Sequence, residues 1–195
     1  MSFREERAAE RRMNILKAAA KLFSEKGYHD ATLEEIAREL KYTKGSIYYY
    51  ISSKQDLLFQ CHDLAMNLLL ENIDRIKDSD LPPDLKLKEV IKGHIETLMS
   101  EFNLITVTLG NDYELEEKYS EIIIAKRDQY EKYISGIIRD GMDRGIFRDV
   151  PVKVVINLIM GAANWIGRWY SGEGSMSLQE IGQFYADYLV APLKP

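Results

Sequence analysis

Helical periodicity along nearly the whole chain constrains the fold of this sequence more than any other feature. Apolar side chains return at intervals of three and four residues, and no stretch of useful length alternates apolar and polar residues as a half-buried strand does. Glycines, prolines and capping residues separate the helical segments. The pattern predicts an all-α fold of about nine helices, without internal repeats.

The predicted helices begin and end at recognisable signals. The first runs from near Ser2 to Lys26 and ends at Gly27, where the C′ position favours glycine. Ser53 and Asp56 form a capping pattern at the start of a long helix that runs toward residue 76. A linker with two prolines covers residues 78–83. The later helices are expected over residues 83–98, 102–108, 114–144, 151–169 and 178–192.

Residues 32–54 contain two short helices joined by a tight turn. Thr32 and Glu35 have the spacing of a capping box, in which each side chain accepts the backbone N–H of the other residue. The apolar rhythm breaks at Lys41, and Thr43 offers a second N-cap hydroxyl to a helix that runs to about Ile51. The spacing fits a helix-turn-helix, a motif that places its second helix in the major groove of DNA.

The second of these helices carries the residue types that DNA contacts require. Hydroxyl and ammonium groups bind phosphate oxygens, aromatic faces pack against sugars or thymine methyl groups, and a glycine lets the backbone approach the duplex. A single tyrosine is more often a packing residue, but three in succession lie about 100° apart, so at least one must point outward. Ile47 and Ile51 are expected to face the core. The predicted DNA contacts are Thr32, Thr43, Lys44, Gly45, Ser46, Tyr48, Tyr49, Tyr50 and Lys54.

Charge is distributed unevenly along the chain. The formal net charge is −5, yet residues 1–60 carry a net charge of +2, and no acid lies between Lys41 and Gln55. This local excess of positive charge is expected of a surface that faces phosphates. Four arginines at the start of the first helix either reach the DNA backbone or form solvated pairs with neighbouring glutamates. They are Arg4, Arg7, Arg11 and Arg12.

The N-terminal residues resemble the TetR family of one-component transcriptional regulators. The resemblance covers about residues 10–60. It rests on the segments Ile15–Phe23, Gly27–Tyr28, Ala31–Thr32, Ile36–Ala37, Lys44–Tyr48 and Ser53–Lys54, with Leu57 and Leu58. It implies a homodimer that binds a palindromic operator on double-stranded DNA and responds to a small-molecule effector.

Three positions depart from the usual pattern of this family. Lys41 stands in place of a glycine, Tyr50 in place of a histidine and Ile51 in place of a phenylalanine. Lys41 is therefore expected in a left-handed backbone conformation, which costs a residue other than glycine roughly 1 kcal/mol. The departures bear on base preference and leave the DNA-binding role unchanged.

The chain is expected to divide into two domains. Residues 1–52 form the helix-turn-helix DNA-binding domain, and residues 53–195 form a helical domain for ligand binding and dimerisation. The last two helices are the candidates for the dimer interface, because they combine small residues with a wide apolar stripe; the alternative is that both stripes close the protomer's own core. The predicted interface residues are Gly161, Ala162, Leu178, Ile181, Phe184, Tyr185 and Tyr188.

The resemblance also implies a small-molecule pocket among the middle helices. Residues 164–170 and the glycine-rich turn after them are similar to the tail of acyl-CoA-responsive, FadR-like members, so the implied effector is an acyl-CoA of fatty-acid metabolism. The main alternative is a cationic drug-like molecule, held by aromatic faces and by an acid such as Asp112 or Glu114. The predicted ligand contacts are Phe102, Arg127, Tyr130, Tyr133, Asn164, Trp165, Arg168 and Trp169.

Other functional classes find little support. The chain has no apolar run of 18 residues and its first twelve residues are densely charged, so a cytoplasmic protein without a membrane span is expected. The single Cys61 fits a reducing compartment. His29, His62 and His94 are too scattered for a local metal signature, and no nucleophile motif is present, so neither an enzyme nor a cofactor is expected. A helical protein-interaction module without DNA binding is a more distant alternative.

Overall fold

The computed structural model describes residues 3–110 and 114–195, and of residues 102 and 108–110 it describes the backbone alone. Within these ranges the chain is all-α, as predicted, with nine α-helices, short 3-10 turns that include Ile166–Arg168 and Ala191–Leu193, and no strand. The helices are α1 (Phe3–Lys26), α2 (Leu33–Glu39), α3 (Lys44–Tyr48), α4 (Lys54–Ile76), α5 (Pro83–Ser100), α6 (Phe102–Gly110), α7 (Glu117–Asp143), α8 (Val152–Trp165) and α9 (Leu178–Val190). None of the described helices is both long and apolar enough to cross a membrane.

Most helix boundaries follow the local signals. The Thr32 hydroxyl accepts the N–H of Glu35 at 3.2 Å, and the Glu35 carboxylate accepts the N–H of Thr32 at 3.1 Å, which completes the capping box of α2. A second capping box, between Ser177 and Glu180, starts α9. Lys41 has a φ of +55°, the left-handed conformation expected at its position. The capping boxes depend on neighbours within a few residues, and sequence spacing is enough to predict them, whereas the conformation of Lys41 was expected from the resemblance to the family.

Helices α3 and α8 end earlier than predicted, and the capping pattern predicted at the start of α4 is only half present. Helix α3 ends at Tyr48, before residue 51, because the following residues already lead into the cap of α4. At that cap the Ser53 hydroxyl accepts the N–H of Asp56 at 3.0 Å, but the Asp56 carboxylate binds the N–H and hydroxyl of Ser52 at 2.7 and 2.9 Å. Helix α8 ends at Trp165, and only a 3-10 turn continues it.

The chain forms two compact units. The first consists of Met1–Ala65 and Asn103–Ile124, and thus contains α1 to α3, the first part of α4, most of α6 and the start of α7. Ile47 and Ile51 lie in its core, as predicted. Other fully buried core residues of this unit include Ile15, Ala19, Ile36, Leu57 and Leu58.

The second unit consists of Met66–Phe102 and Ala125–Pro195. Helix α5 packs mainly against α9 and also against α8. Its completely buried stripe includes Leu87, Ile91 and Ile95, and the fully buried positions on the neighbouring helices include Ile134, Ile138, Ala163 and Val190. This core positions α4, α5 and α7 around the cavity described below.

Candidate nucleic-acid interface and ligand cavities

Helix α3 is held by one apolar residue and presents a polar, aromatic outer face. Ile47 is completely buried. The Thr43 hydroxyl accepts the N–H of Ser46 at 3.1 Å, and the two hydroxyls lie 2.8 Å apart. Tyr48 is half exposed and Tyr49 is 78% exposed. The predicted outward orientation of Tyr48 and Tyr49 is therefore present in the structure. The hydroxyls of Thr32 and Thr43 cap α2 and α3.

Gly45 is not required by the packing of the protein itself. A Cβ atom built on it would meet only the Thr43 hydroxyl oxygen, at 4.0 Å. Its backbone is also outside the left-handed region that favours glycine. Neither packing nor backbone conformation within the protein therefore requires a glycine at this position.

A groove of about 670 Å³ lies between the start of α1 and the N-terminal part of α3. Arg4, Arg7 and Arg11 line its α1 side, at the spacing of one helix face. The Arg7 guanidinium lies over the ring of Phe3, 4.5 Å from its centroid. The opposite side is lined by Thr43, Gly45, Ser46, Tyr49 and Tyr50. Sequence spacing left the role of the arginines open. The structure places three of them beside α3, the helix predicted to enter the major groove of DNA.

Arg12, the fourth arginine of this cluster, is bound within the first unit. Its Nε donates to Oε1 of Gln60 at 2.8 Å, and Gln60 donates to the Asp56 carboxylate at 3.0 Å. Burial alone would raise the pKa of Asp56, but hydrogen bonds from Gln60 and Ser52 and the nearby charge of Arg12 outweigh burial and hold this pKa below its ordinary value. Arg12 therefore stabilises the start of α4.

The two predicted phosphate-binding lysines have different surroundings. The Lys44 ammonium pairs with the exposed Glu34 carboxylate, and this hydrogen bond raises the pKa of Lys44. Lys54 donates to the backbone carbonyl of His29 at 2.9 Å and lies 4.5 Å from the ring centroid of Tyr28. Burial lowers the pKa of Lys54. Lys44 thus stays on the open surface, while Lys54 holds the turn that follows α1.

Within the first unit, residues just before α7 contact the start of α4 and the turn after α1. The Gln55 amide donates to the Glu114 carbonyl at 2.6 Å and accepts the N–H of Glu116 at 3.2 Å. Nε2 of His29 lies 2.8 Å from the Glu114 carboxylate. Glu114, one of the two acids considered for a cationic ligand, is thereby engaged with His29. The other, Asp112, lies outside the described residues.

A buried polar cluster connects α5, α7 and α8 in the second unit. Nδ1 of His94 lies 3.1 Å from the Tyr130 hydroxyl, and Nε2 lies 2.9 Å from Oδ1 of Asn164. Because an amide oxygen only accepts, Nε2 carries the proton and Nδ1 accepts from Tyr130. Burial lowers the pKa of His94, although the hydrogen bond with Asn164 opposes this shift. Tyr130 and Asn164, two predicted ligand contacts, are thus hydrogen-bonded to the neutral ring of His94. His94 itself was not predicted to belong to a site.

A cavity of about 500 Å³ lies between α4, α5 and α7 in the second unit. Leu70 and Ile73 of α4 and Ile137 of α7 provide apolar walls. Tyr133, a predicted ligand contact, also lines the cavity. Its hydroxyl oxygen is buried and has no hydrogen-bond partner among the described residues.

The other predicted ligand residues do not line this cavity. Trp165 and Trp169 are 64% and 50% exposed, and Arg168 is exposed in the same segment. Arg127 is half-buried on α7. The side chain of Phe102 lies outside the described residues. The residues predicted from sequence are thus divided among an exposed surface, the buried polar cluster and the cavity.

Helices α8 and α9 expose a large apolar surface, which we call the α8–α9 face. Leu158 is 65% exposed, and the stacked rings of Phe184 and Tyr188 are 47% and 66% exposed. Gly161 is exposed, and a Cβ atom on it would meet nothing within 4 Å. Ala162, Leu178 and Tyr185 are half-buried, whereas Ile181 is buried within the protomer. Apolar patches of this kind on soluble proteins mark interaction sites.

Two family models match the chain. Residues 15–61 match the bacterial regulatory proteins of the tetR family, and residues 80–193 match the tetracyclin repressor-like C-terminal domain. The chain belongs to the TetR family. The fatty acid metabolism regulator protein of Bacillus subtilis (strain 168) is 25% identical to it over 185 residues, which cover 92% of this chain and 93% of that protein. The repressor KstR2 of Mycobacterium tuberculosis is 25% identical over 179 residues, covering 90% and 88% of the two chains.

Solved structures share the fold of this TetR-family chain. The TetR family regulator PfmR from Thermus thermophilus has a TM-score of 0.83 at 27% identity, covering 93% of this chain and 99% of PfmR. AibR in complex with isovaleryl coenzyme A and operator DNA has a TM-score of 0.83 at 24% identity, covering 94% and 99% of the two chains. The matched families and relatives are transcriptional regulators and not enzymes. The chain is a TetR-type transcriptional repressor, of a family that dimerises and binds operator DNA and small-molecule effectors.

Proposed function

We propose that acyl-CoA thioesters of fatty-acid metabolism release this homodimeric repressor from its operator in the cytoplasm. The observation that carries the proposal is the alignment, over nearly the whole of both chains, with a regulator of fatty acid metabolism. The fold adds support, because AibR has been solved with an acyl-CoA and operator DNA bound. A cationic effector finds less support, since one acid considered for it, Glu114, is engaged with His29.

The proposed DNA-binding surface combines α3 with the arginine side of α1. Ser46, Tyr48 and Tyr49 face outward and supply the hydroxyls and rings for base edges and sugars. The remaining contacts are made by Thr43, Gly45, Tyr50 and Lys44, and Arg4, Arg7 and Arg11 bind phosphates along the groove. Thr32 and Lys54 support this surface by capping α2 and holding the turn after α1.

The proposed dimer interface is the α8–α9 face. Its exposed members Gly161, Phe184 and Tyr188 meet the same residues of a second protomer, because a two-fold interface pairs one surface with itself. Ala162, Leu178 and Tyr185 lie beside them. Two copies of α3 are needed because a two-fold operator presents two half-sites.

The proposed mechanism is thermodynamic linkage between effector and operator. The effector binds better to a conformation in which the paired α3 helices no longer match the half-site spacing, so the two ligands weaken each other's binding. Helix α4 contributes residues to both compact units and is the proposed connection. A tenfold loss of operator affinity needs only about 1.4 kcal/mol of coupling.

Fluorescence anisotropy with a labelled duplex from the chain's own promoter region tests this function. Lauroyl-CoA should weaken operator binding at least tenfold, whereas free coenzyme A should not. Retention of full operator affinity with saturating acyl-CoAs of every chain length from C4 to C18 would contradict the proposal. Release by the cationic dye rhodamine 6G alone would instead support the cationic effector.

A salt titration in the same assay separates a regulator from a protein-interaction module. Phosphate contacts make the logarithm of the binding constant fall linearly with the logarithm of salt concentration. A protein without a DNA-binding surface would show no saturable, salt-dependent change in anisotropy.

A further inference from the structure

We infer that Glu34 is a specificity-determining residue that lowers the affinity of this repressor for non-operator DNA, because its carboxylate competes with DNA phosphates for the Lys44 ammonium. Lys44 is the first residue of α3, the helix proposed to enter the major groove. Glu34 lies in the first turn of α2 and was not among the predicted DNA contacts. The inference rests on the proposed contact between Lys44 and DNA, and it adds a residue that opposes phosphate binding.

The Lys44 ammonium is already held by the protein itself. It forms an ion pair with the Glu34 carboxylate and lies 5.8 Å from the ring centroid of Tyr48. The hydrogen bond between the two groups lowers the pKa of Glu34 and raises the pKa of Lys44, so both are charged at neutral pH. A phosphate that binds this ammonium therefore either displaces a carboxylate or lies beside it, and two anions repel each other.

The ion pair contributes little to the stability of the fold. The side chains of Glu34 and Lys44 are 54% and 58% exposed. Exposed pairs stabilise proteins weakly, because solvent screens the attraction and two long side chains lose conformational freedom. Substitution of either residue should therefore leave the folded domain intact, so that an effect on DNA binding can be measured by itself.

The other two glutamates of α2 have different partners. Glu35 pairs with Lys26 at 2.7 Å, and Glu39 pairs with Lys21 at 2.8 Å. Both lysines belong to α1, so these pairs link α2 to α1. Among the described ion pairs of α2, that of Glu34 is directed to α3. Glu39→Gln is therefore a matched control, since it removes the same charge from the same helix without a change at α3.

The effect of Glu34 should differ between a phosphate and a base edge. Non-specific binding depends on the attraction between lysine or arginine and phosphates, and a carboxylate beside Lys44 weakens this attraction at every sequence. A base edge is uncharged. An ammonium has three N–H donors, so Lys44 can donate to O6 or N7 of a guanine while it still binds Glu34. Glu34 therefore raises the ratio of operator affinity to non-specific affinity.

Fluorescence anisotropy with operator and with an unrelated duplex of equal length tests the inference. Glu34→Gln should raise the affinity for the unrelated duplex about three- to fivefold. The slope of log affinity against log salt should become steeper by up to about 0.9, because one more phosphate contact forms. Operator affinity should change less than about twofold, so the ratio of the two affinities falls. Glu39→Gln should leave this ratio and the slope unchanged.

A double-mutant cycle with Lys44→Gln shows whether Glu34 acts through Lys44. In the Lys44→Gln background, Glu34→Gln should have no further effect on either duplex, because no ammonium remains for carboxylate and phosphate to compete for. An equal increase in affinity in both backgrounds would mean a general repulsion between Glu34 and DNA, and would overturn the inference. Thermal unfolding of each variant should give the midpoint of the natural chain, which separates these effects from a loss of structure.

Failure of this inference can be told apart from failure of the proposed function. If Lys44→Gln leaves both affinities and the salt slope unchanged, the proposed contact between Lys44 and DNA is wrong, and the inference is wrong with it. If Lys44→Gln weakens binding but Glu34→Gln leaves the ratio of affinities unchanged, the proposed contact stands and only the role of Glu34 is overturned. Release of the operator by an acyl-CoA is measured separately, with effector present.

Discussion

At the scale of single residues, His94 shows how burial and hydrogen bonding determine the state of a side chain. It lies on the apolar stripe of α5, yet both ring nitrogens have partners, in Tyr130 and Asn164. A buried polar group needs such partners because their loss costs about 1–3 kcal/mol. The packing of α5 against its neighbours shows both the burial of His94 and its two partners.

Acid should destabilise the protein through His94. The folded pKa is lowered below the ordinary value of 6.5, so at pH values just under 6.5 the unfolded chain binds a proton that the folded chain does not. The free energy of unfolding should therefore decline as the pH falls through 6.5. Thermal unfolding between pH 7.5 and 5.5 measures this, and His94→Gln should show a smaller decline. Equal pH dependence in both proteins would rule out this role for His94.

Gly45→Ala should separate DNA binding from stability. The substitution meets no obstacle in the protein and should raise the free energy of unfolding by up to about 1 kcal/mol, because alanine is the better helix former. Operator affinity should fall at least tenfold if DNA comes close to this backbone. Urea denaturation and anisotropy titration measure the two quantities. Gly136→Ala, on α7, is the control and should leave operator affinity unchanged; normal binding by Gly45→Ala would show that DNA does not approach there.

At the scale of elements, α3 cannot be understood in isolation. It contains five residues, far fewer than an isolated helix needs in water. Its capping by Thr43 and the burial of Ile47 hold it in place, so that its outer face is available for contacts. The arginine side of α1 completes the groove beside it.

Replacing Arg4, Arg7 and Arg11 together by glutamine should weaken binding to all duplex sequences alike. Each lost phosphate contact reduces the slope of log affinity against log salt by about 0.9, so the slope should become shallower by up to about 3. Anisotropy titrations at several salt concentrations, with operator and with unrelated duplex, measure this. Arg38→Gln, an exposed change on α2 outside the groove lining, is the control. An unchanged slope in the triple variant would remove α1 from the DNA surface.

At the scale of the whole molecule, the α8–α9 face should control both assembly and DNA binding. Leu158→Glu and Tyr188→Glu place charges on exposed apolar positions, so they should not unfold the protomer but should oppose burial against a second copy. Analytical ultracentrifugation should show monomers, and operator affinity should fall by at least tenfold because one half-site contact is lost. Arg139→Glu, on α7, is the charge control. Dimers that persist in both variants would place the interface elsewhere.

Short-range features of this chain could be predicted from sequence. The capping boxes at Thr32 and Ser177 depend on residues within one helical turn. The left-handed conformation of Lys41 was expected because the family usually has a glycine at this position. The apolar stripes also showed that Ile47 and Ile51 would be buried. The regulatory role followed from these local patterns together with the resemblance to TetR regulators, because residue types and spacings agreed over about fifty positions.

Tertiary structure alone decided which side chains share a site. Arg7 and Arg12 belong to the same charged segment, yet one lines the groove and the other binds Gln60. Trp165 and Tyr133 both looked like ligand contacts, but the first is exposed and the second lines a cavity. The sequence alone determined the helices, their caps and the family, because local backbone energetics and periodicity depend on near neighbours. The groove, the buried polar cluster and the cavity required the structure, because they form where helices distant in sequence pack together.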